Sequence, residues 1–185
     1  MGDGASGGDH LQATSRSRTR TSNESKPSPQ VVRALTDFKM LAVGRFPELK
    51  GQLYNELNKL RQGDFSDRSV MGIYSPSQKK IVISNKIQSN AEEVRDTVAH
   101  ELGHALSIIS PRGFRSINDT FTRAFRSYRR THRTASEKSF ARSISNYAAS
   151  SREEAFAEAF SDYFRNGSNA REASKLMMEH WRKKR

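Results

Sequence analysis

The stretch Asn90 to Ile109, NAEEVRDTVAHELGHALSII, constrains the fold of this chain more than any other. Val94, Val98, Ala99, Leu102, Ala105, Leu106 and Ile109 recur at three- and four-residue steps, the period of a helix that buries one face. Asn90 precedes the run and Glu93 follows three residues later, the spacing of a cap and its reciprocal partner. Within the helix lies His100-Glu101-Leu102-Gly103-His104. Histidines four residues apart project from the same face one turn apart, so both imidazoles can reach a single tetrahedral Zn2+ ion. Glu101 stands beside them, placed to take a proton from water rather than to bind the metal. Gly103 forgoes roughly 1 kcal/mol of helix propensity, which the close approach of another segment would explain.

The 185 residues, 34% of them hydrophobic, suit one domain with its own core. Cysteine is absent, which excludes disulfides and thiolate metal sites and permits a reducing compartment. No apolar run reaches membrane-spanning length, and the first residues lack the apolar segment of a secretory signal. The formal charge of +12 is unevenly spread: Pro111 to Arg142 holds nine Arg/Lys against two Asp/Glu, and Arg182 to Arg185 adds four more positive charges. Such clustering points to polyanions, acidic partners or acidic substrates.

Residues 1–29 are rich in Gly, Ser, Thr and Arg and nearly free of large apolar side chains, so they read as a disordered tail in which Arg16, Arg18 and Arg20 either stay solvated or touch an acidic surface. A single folded domain is expected over residues 30–182, followed by a basic tail at 183–185. A helix begins at Gln30 with Val31, Val32, Leu35, Phe38, Leu41 and Ala42 as its stripe and ends at Gly44. A second spans about Pro47 to Gln62, stopped by Gly63. Val70 to Tyr74 and Lys79 to Ser84 read as a β-hairpin around Ser75-Pro76-Ser77-Gln78. Its second strand, Lys79 to Ile83, either borders a cleft and pairs with an extended substrate or is a plain core strand.

After Pro111, a helix from about Ser116 to Arg133 gathers Ile117, Phe121, Ala124, Phe125 and Tyr128 in one arc and Arg123, Arg126, Arg129, Arg130 and Arg133 in the opposite one. That basic face is either solvated surface or a contact for nucleic acid or another polyanion. Ser143 to Ser151 is a polar linker containing Tyr147, and a helix from Arg152 to Asn166 follows, with Gly167 as its stop and Phe156, Phe160, Tyr163 and Phe164 as its apolar face. Ser168 to Trp181 forms the last helix. The coarse class is α+β, mainly helical, with a small β-hairpin at the edge of a cleft.

A catalytic zinc needs a third protein ligand and keeps its fourth position for water. Ser107 and Ser110 exclude the extended three-histidine motif, which requires Gly and His there. His10 lies in the tail, and His132 and His180 fall on basic helices that repel a cation. Asp119 lacks a supporting motif. Glu153, Glu154 and Glu158 cluster at the start of the Arg152 helix, where Glu154 and Glu158 share a face, one to bind the metal and one to orient a histidine. Ser151 and Glu154 also have the capping-box spacing, under which Glu154 only closes the helix end.

His100-Glu101-Leu102-Gly103-His104, together with Tyr147 to Ser151 and the run Arg152-Glu153-Glu154-Ala155-Phe156-Ala157-Glu158-Ala159-Phe160, resembles the catalytic domain of anthrax lethal factor and its relatives, including the secreted Pro-Pro endopeptidases. The resemblance spans roughly residues 65–170. It implies a zincin-like metallopeptidase fold of the gluzincin type and a zinc endopeptidase acting on a protein or peptide substrate. It also implies Glu154 as third ligand, Tyr147 as hydroxyl donor to the transition state and Glu158 in support. It departs at Ala155, where an aromatic residue is common, and the sequence carries neither a secretion signal nor the toxin's other domains. Similar domains are attached to bacteriophage head proteins, so a virion-associated setting stands beside a cytoplasmic one and export by a non-classical route. The rival expectation is a non-catalytic, zinc-stabilised structural or nucleic-acid-binding module.

Overall fold

Helix α3 (Ala91–Ile109) forms where its periodicity places it. Asn90 Oδ1 accepts the N–H groups of Glu92 (3.1 Å) and Glu93 (3.2 Å), so the cap is made. The Asn90 N–H donates to the Ile87 carbonyl at 3.2 Å, so the reciprocal half of the expected capping box is replaced by a backbone bond.

The computed structural model describes residues 21–87, 90–109 and 111–183. The expected tail lies outside these as far as residue 20, as do residues 184–185 of the basic terminus and His10. Elements preceding α3 are β1 (Thr21–Ser25), α1 (Pro29–Arg45), a 3-10 turn (Pro47–Leu49), α2 (Lys50–Asn58), β2 (Arg61–Phe65), β3 (Gly72–Ser75) and β4 (Lys80–Ser84). After it come α4 (Ile117–Tyr128), α5 (Glu137–Ile144), a 3-10 turn (Tyr147–Ser150), α6 (Arg152–Asn166) and α7 (Glu172–Arg182). The architecture is α+β, mostly helical, with one four-stranded sheet. No helix among the described residues is long and apolar enough to cross a membrane.

The sheet runs β1-β2-β4-β3, with β2 and β4 parallel and the two outer pairs antiparallel. The hairpin of β3 and β4 matches the expectation. Two strands were not expected. Thr21–Ser25 is too polar to signal a strand, yet it pairs with β2 and is pinned there by Asn23 to Asp64 (3.0 Å) and by the ion pair of Lys80 with Glu24. The disordered tail therefore cannot extend to residue 29. Gly63 does not stop a helix; it sits inside β2, where a Cβ would meet the Ser22 carbonyl at 3.2 Å and Val82 Cγ1 at 3.3 Å. The second helix ends at Asn58 because the chain must turn to enter this sheet.

β4 is an inner strand, with Ile81, Val82, Ile83 and Ser84 all buried, so the cleft-border reading of Lys79 to Ile83 is corrected to the plain core strand. The edge beside α3 is β3. A Cβ on Gly72 would lie 2.6 Å from Thr97 Cγ2 and 3.0 Å from Glu101 Cγ. In α1, Val32 and Leu41 are exposed, and Ala34 completes the buried stripe with Val31, Leu35, Phe38 and Ala42. Helix α5 was not expected; Ser136 and Ser139 close it with a capping box of two serines, and Phe140, Ala141 and Ile144 bury its inner face.

α3 and α6 cross at the centre of a core that runs from Val31 to Trp181. At the crossing, a Cβ on Gly103 would stand 2.7 Å from Ala157 Cα. Only a residue without a side chain allows this approach. Gly44, in the last turn of α1, has open space around it. In urea unfolding, Gly103→Ala should lose about 1–3 kcal/mol despite its better helix propensity, because it overpacks backbone. Gly44→Ala should gain up to about 1 kcal/mol. Equal effects of the two substitutions would contradict the close crossing.

Candidate metal centre

α6 is held by its back. Phe156 meets Trp181 edge-on at 4.9 Å, Phe160 stacks on Phe46 at 4.9 Å, and Phe164 stacks on Phe38 at 4.3 Å. Its front carries Glu154, Ala157 and Glu158, an i, i+3, i+4 face that lies on His100, Gly103 and His104 of α3. The Ala157 and Gly103 pair sets the spacing, and the carboxylates on either side fall within reach of the imidazoles.

His100 Nε2 and His104 Nε2 are 3.0 Å apart, and Glu154 Oε2 stands 3.3 Å from the first and 3.1 Å from the second. A proton can serve only one pair of these atoms. One metal ion serves all three: ligands held tetrahedrally at 2.0–2.1 Å from zinc are separated by about 3.3 Å. All three residues are buried, and the set fits a metal ion. Ser151 Oγ caps α6 by accepting the Glu154 N–H at 3.1 Å, so the main chain of Glu154 takes part in the cap while its carboxylate faces the histidines.

Behind the triangle, His100 Nδ1 lies 2.7 Å from Glu158 Oε1, the orienting contact expected for a ligand histidine. The charges follow. Burial opposes protonation of His100, but the carboxylates of Glu154 and Glu158, with Glu101 nearby, outweigh it and raise the imidazole pKa to about 10. Burial dominates at His104 and lowers it. For Glu154, burial pushes up, yet the two imidazoles hold the carboxyl well below its usual range. Glu158 is likewise pushed up by burial and pulled below its usual value by His100 and by the Ser145 hydroxyl.

Glu101 is buried against β3, and its Oε2 has no hydrogen-bond partner among the described residues. Such a carboxylate is costly unless something polar meets it. Tyr147 opens the 3-10 turn before α6, half-buried, with its ring centroid 6.2 Å from that of His100. Sequence reasoning missed Ser145. Its hydroxyl oxygen accepts the Ala148 N–H at 2.9 Å and its hydrogen reaches the Glu158 carboxylate, so one side chain ties the Tyr147 turn to the group behind His100. The available signal was Ser three residues before a turn residue, the pattern of a local cap.

The structure therefore gathers His100, Glu101, His104, Tyr147, Glu154 and Glu158. Elsewhere, Asp119 is engaged by Arg115 at 3.3 Å and Arg123 at 2.8 Å. Glu153 is exposed, His132 stacks on Tyr128, and His180 Nε2 meets Ser127 Oγ at 2.8 Å. No protein-family model, no curated protein and no solved structure matches this chain.

In metal-free protein, imidazole nitrogen shifts followed by NMR should show His100 protonated at neutral pH and deprotonating only towards about pH 10, with His104 neutral throughout that range. A metal must displace the His100 proton, so uptake at pH 7 should release protons and weaken as pH falls. Uptake without proton release would contradict the ion pairing of His100 with the two glutamates.

Proposed function

We propose that this chain is a zinc-dependent endopeptidase with a zincin-like fold. The observation that carries the reading is the near-equilateral triangle of His100 Nε2, His104 Nε2 and Glu154 Oε2 with the carboxylate of Glu101 one residue away, its Oε2 without a hydrogen-bond partner among the described residues. Three ligands of this type suit zinc, with soft thiolate sites already excluded by composition. Zinc held there would supply a Lewis acid that brings the pKa of water towards neutrality.

The chain's own residues do the rest. Glu101 accepts a proton from the attacking water and returns it to the leaving amine. Tyr147 donates a hydrogen bond to the oxyanion that develops on the scissile carbonyl, a contact strongest in the transition state. Glu158 holds the His100 ring by its Nδ1 side, leaving Nε2 directed at the triangle. β3, an outer strand of the sheet packed beside Glu101, has an edge that pairs with no other strand among the described residues, and an extended peptide could lie along it.

A structural site has no use for a buried, unpaired carboxylate beside its ligands, which favours the peptidase over a purely zinc-stabilised module. The deciding experiment is cleavage of a diverse peptide library by zinc-loaded protein, read by mass spectrometry. Glu101→Ala should retain zinc and lose roughly 10²- to 10⁴-fold in turnover. Glu154→Gln should lower zinc affinity at least tenfold, whereas a residue acting only through its main-chain cap would tolerate the change. No cuts from folded, zinc-loaded wild type would leave the structural module as the better reading.

A further inference from the structure

The basic face of α4 is divided. Arg123 is spent on Asp119, at 2.8 Å. Arg126, Arg129, Arg130 and Arg133 instead line one open cleft of about 380 Å³, and among the described residues none of the four has an ion pair. Of the acids around it, Asp119 is held also by Arg115 and Glu137 by Arg152, while Glu172 stands at the margin of the site, accepting the Thr131 hydroxyl at 3.4 Å. Cations at a helix C-terminus complement the helix dipole, but that effect decays within the last turn and accounts for one or two of them. Arg129 donates to the Arg133 carbonyl at 3.4 Å and lies over the Phe125 ring, and four exposed guanidinium groups without a carboxylate partner concentrate a positive potential that draws a polyanion.

An aromatic platform stands beside this cleft. His132 stacks on Tyr128 with centroids 3.9 Å apart and planes within 3°, and Tyr128 is in turn backed by Phe140 at 5.2 Å. Thr131 Oγ1, 2.9 Å from His132 Nδ1, fixes the ring from the side. One face of the imidazole is thus covered while the residue remains exposed. An acidic peptide gains nothing from a flat, anchored ring, whereas an unpaired base stacks on it.

We infer that the end of α4 and the turn after it, Arg126 to Arg133, form a binding site for single-stranded nucleic acid, with the arginines on consecutive phosphates and a base on His132. Guanidinium groups match phosphate oxygens in pairs, and a single strand, unlike a duplex, presents free base faces. The site uses none of the metal-centre residues, so it stands or falls independently of the peptidase reading.

The test is fluorescence anisotropy of the full chain with a labelled oligothymidine of about 12 nucleotides, across a salt series. The wild type should bind at low salt. Joint substitution Arg126→Gln, Arg130→Gln and Arg133→Gln should weaken binding at least tenfold and reduce the slope of log K against log salt by about 2. His132→Ala should weaken it several-fold without changing that slope. Joint Arg16→Gln, Arg18→Gln and Arg20→Gln, in the amino-terminal segment, should leave affinity unchanged. Circular dichroism is run on each variant to check that it is folded, and Arg126, Arg130, His132 and Arg133 are all exposed. Absence of binding at low salt, or binding unaffected by the Arg126, Arg130 and Arg133 changes, would overturn the inference. So would equal affinity for a duplex of the same length or for polyglutamate.

Discussion

Contact between Gly103 and Ala157 governs this molecule. There a Cβ on α3 would stand 2.7 Å from the α6 backbone, and the contact lies between the two histidines on one helix and between the two glutamates on the other. Had either position carried a larger side chain, the helix axes would separate, and donors now about 3 Å apart would lose their common centre. The aromatic cluster behind α6 presses in the same direction. Phe156, Phe160 and Phe164 bury the opposite side of the helix against Trp181, Phe46 and Phe38, so α6 cannot roll without unpacking the core.

Several groups at this crossing would be liabilities in a purely structural core. Glu101, Glu154 and Glu158 add three carboxylates to two imidazoles in a largely dry environment. Part of that burden is offset internally, since His100 as an imidazolium balances Glu154 and Glu158. Ser145 extends the arrangement outward to the turn that carries Tyr147. The two faces of the site are therefore linked by side chains as well as by packing, and a shift at the Glu158 carboxylate is felt both at His100 and at the turn.

How much of this was legible in the sequence depended on how local its cause was. Helix α3 and its histidine spacing follow from period and rotation, and α6 with its Gly167 stop follows from the Ser151 cap and the left-handed φ of +54° at that glycine. The hairpin was readable because its strands are β-branched and adjacent. β1 and β2 were not, because Thr21–Ser25 and Arg61–Phe65 carry little apolar signal and are strands only by virtue of pairing with each other and with β4. The order that puts β4 inside and β3 at the edge is likewise a long-range fact. At the site, spacing alone left Glu154 between cap and ligand; the crossing of α3 and α6 brings its carboxylate to the imidazoles, and a separation of some fifty residues along the chain conceals that.

The same separation bears on when the site comes into being. His100 and His104 are synthesised before their partners Glu154 and Glu158, some fifty residues on, and the helix that carries those partners is anchored by Trp181, which follows later still. A nascent chain shorter than this has a pair of histidines and no third donor, and α3 cannot hold the triangle alone. The centre is thus a product of tertiary docking, present only while α6 lies against α3 and lost as soon as α6 undocks.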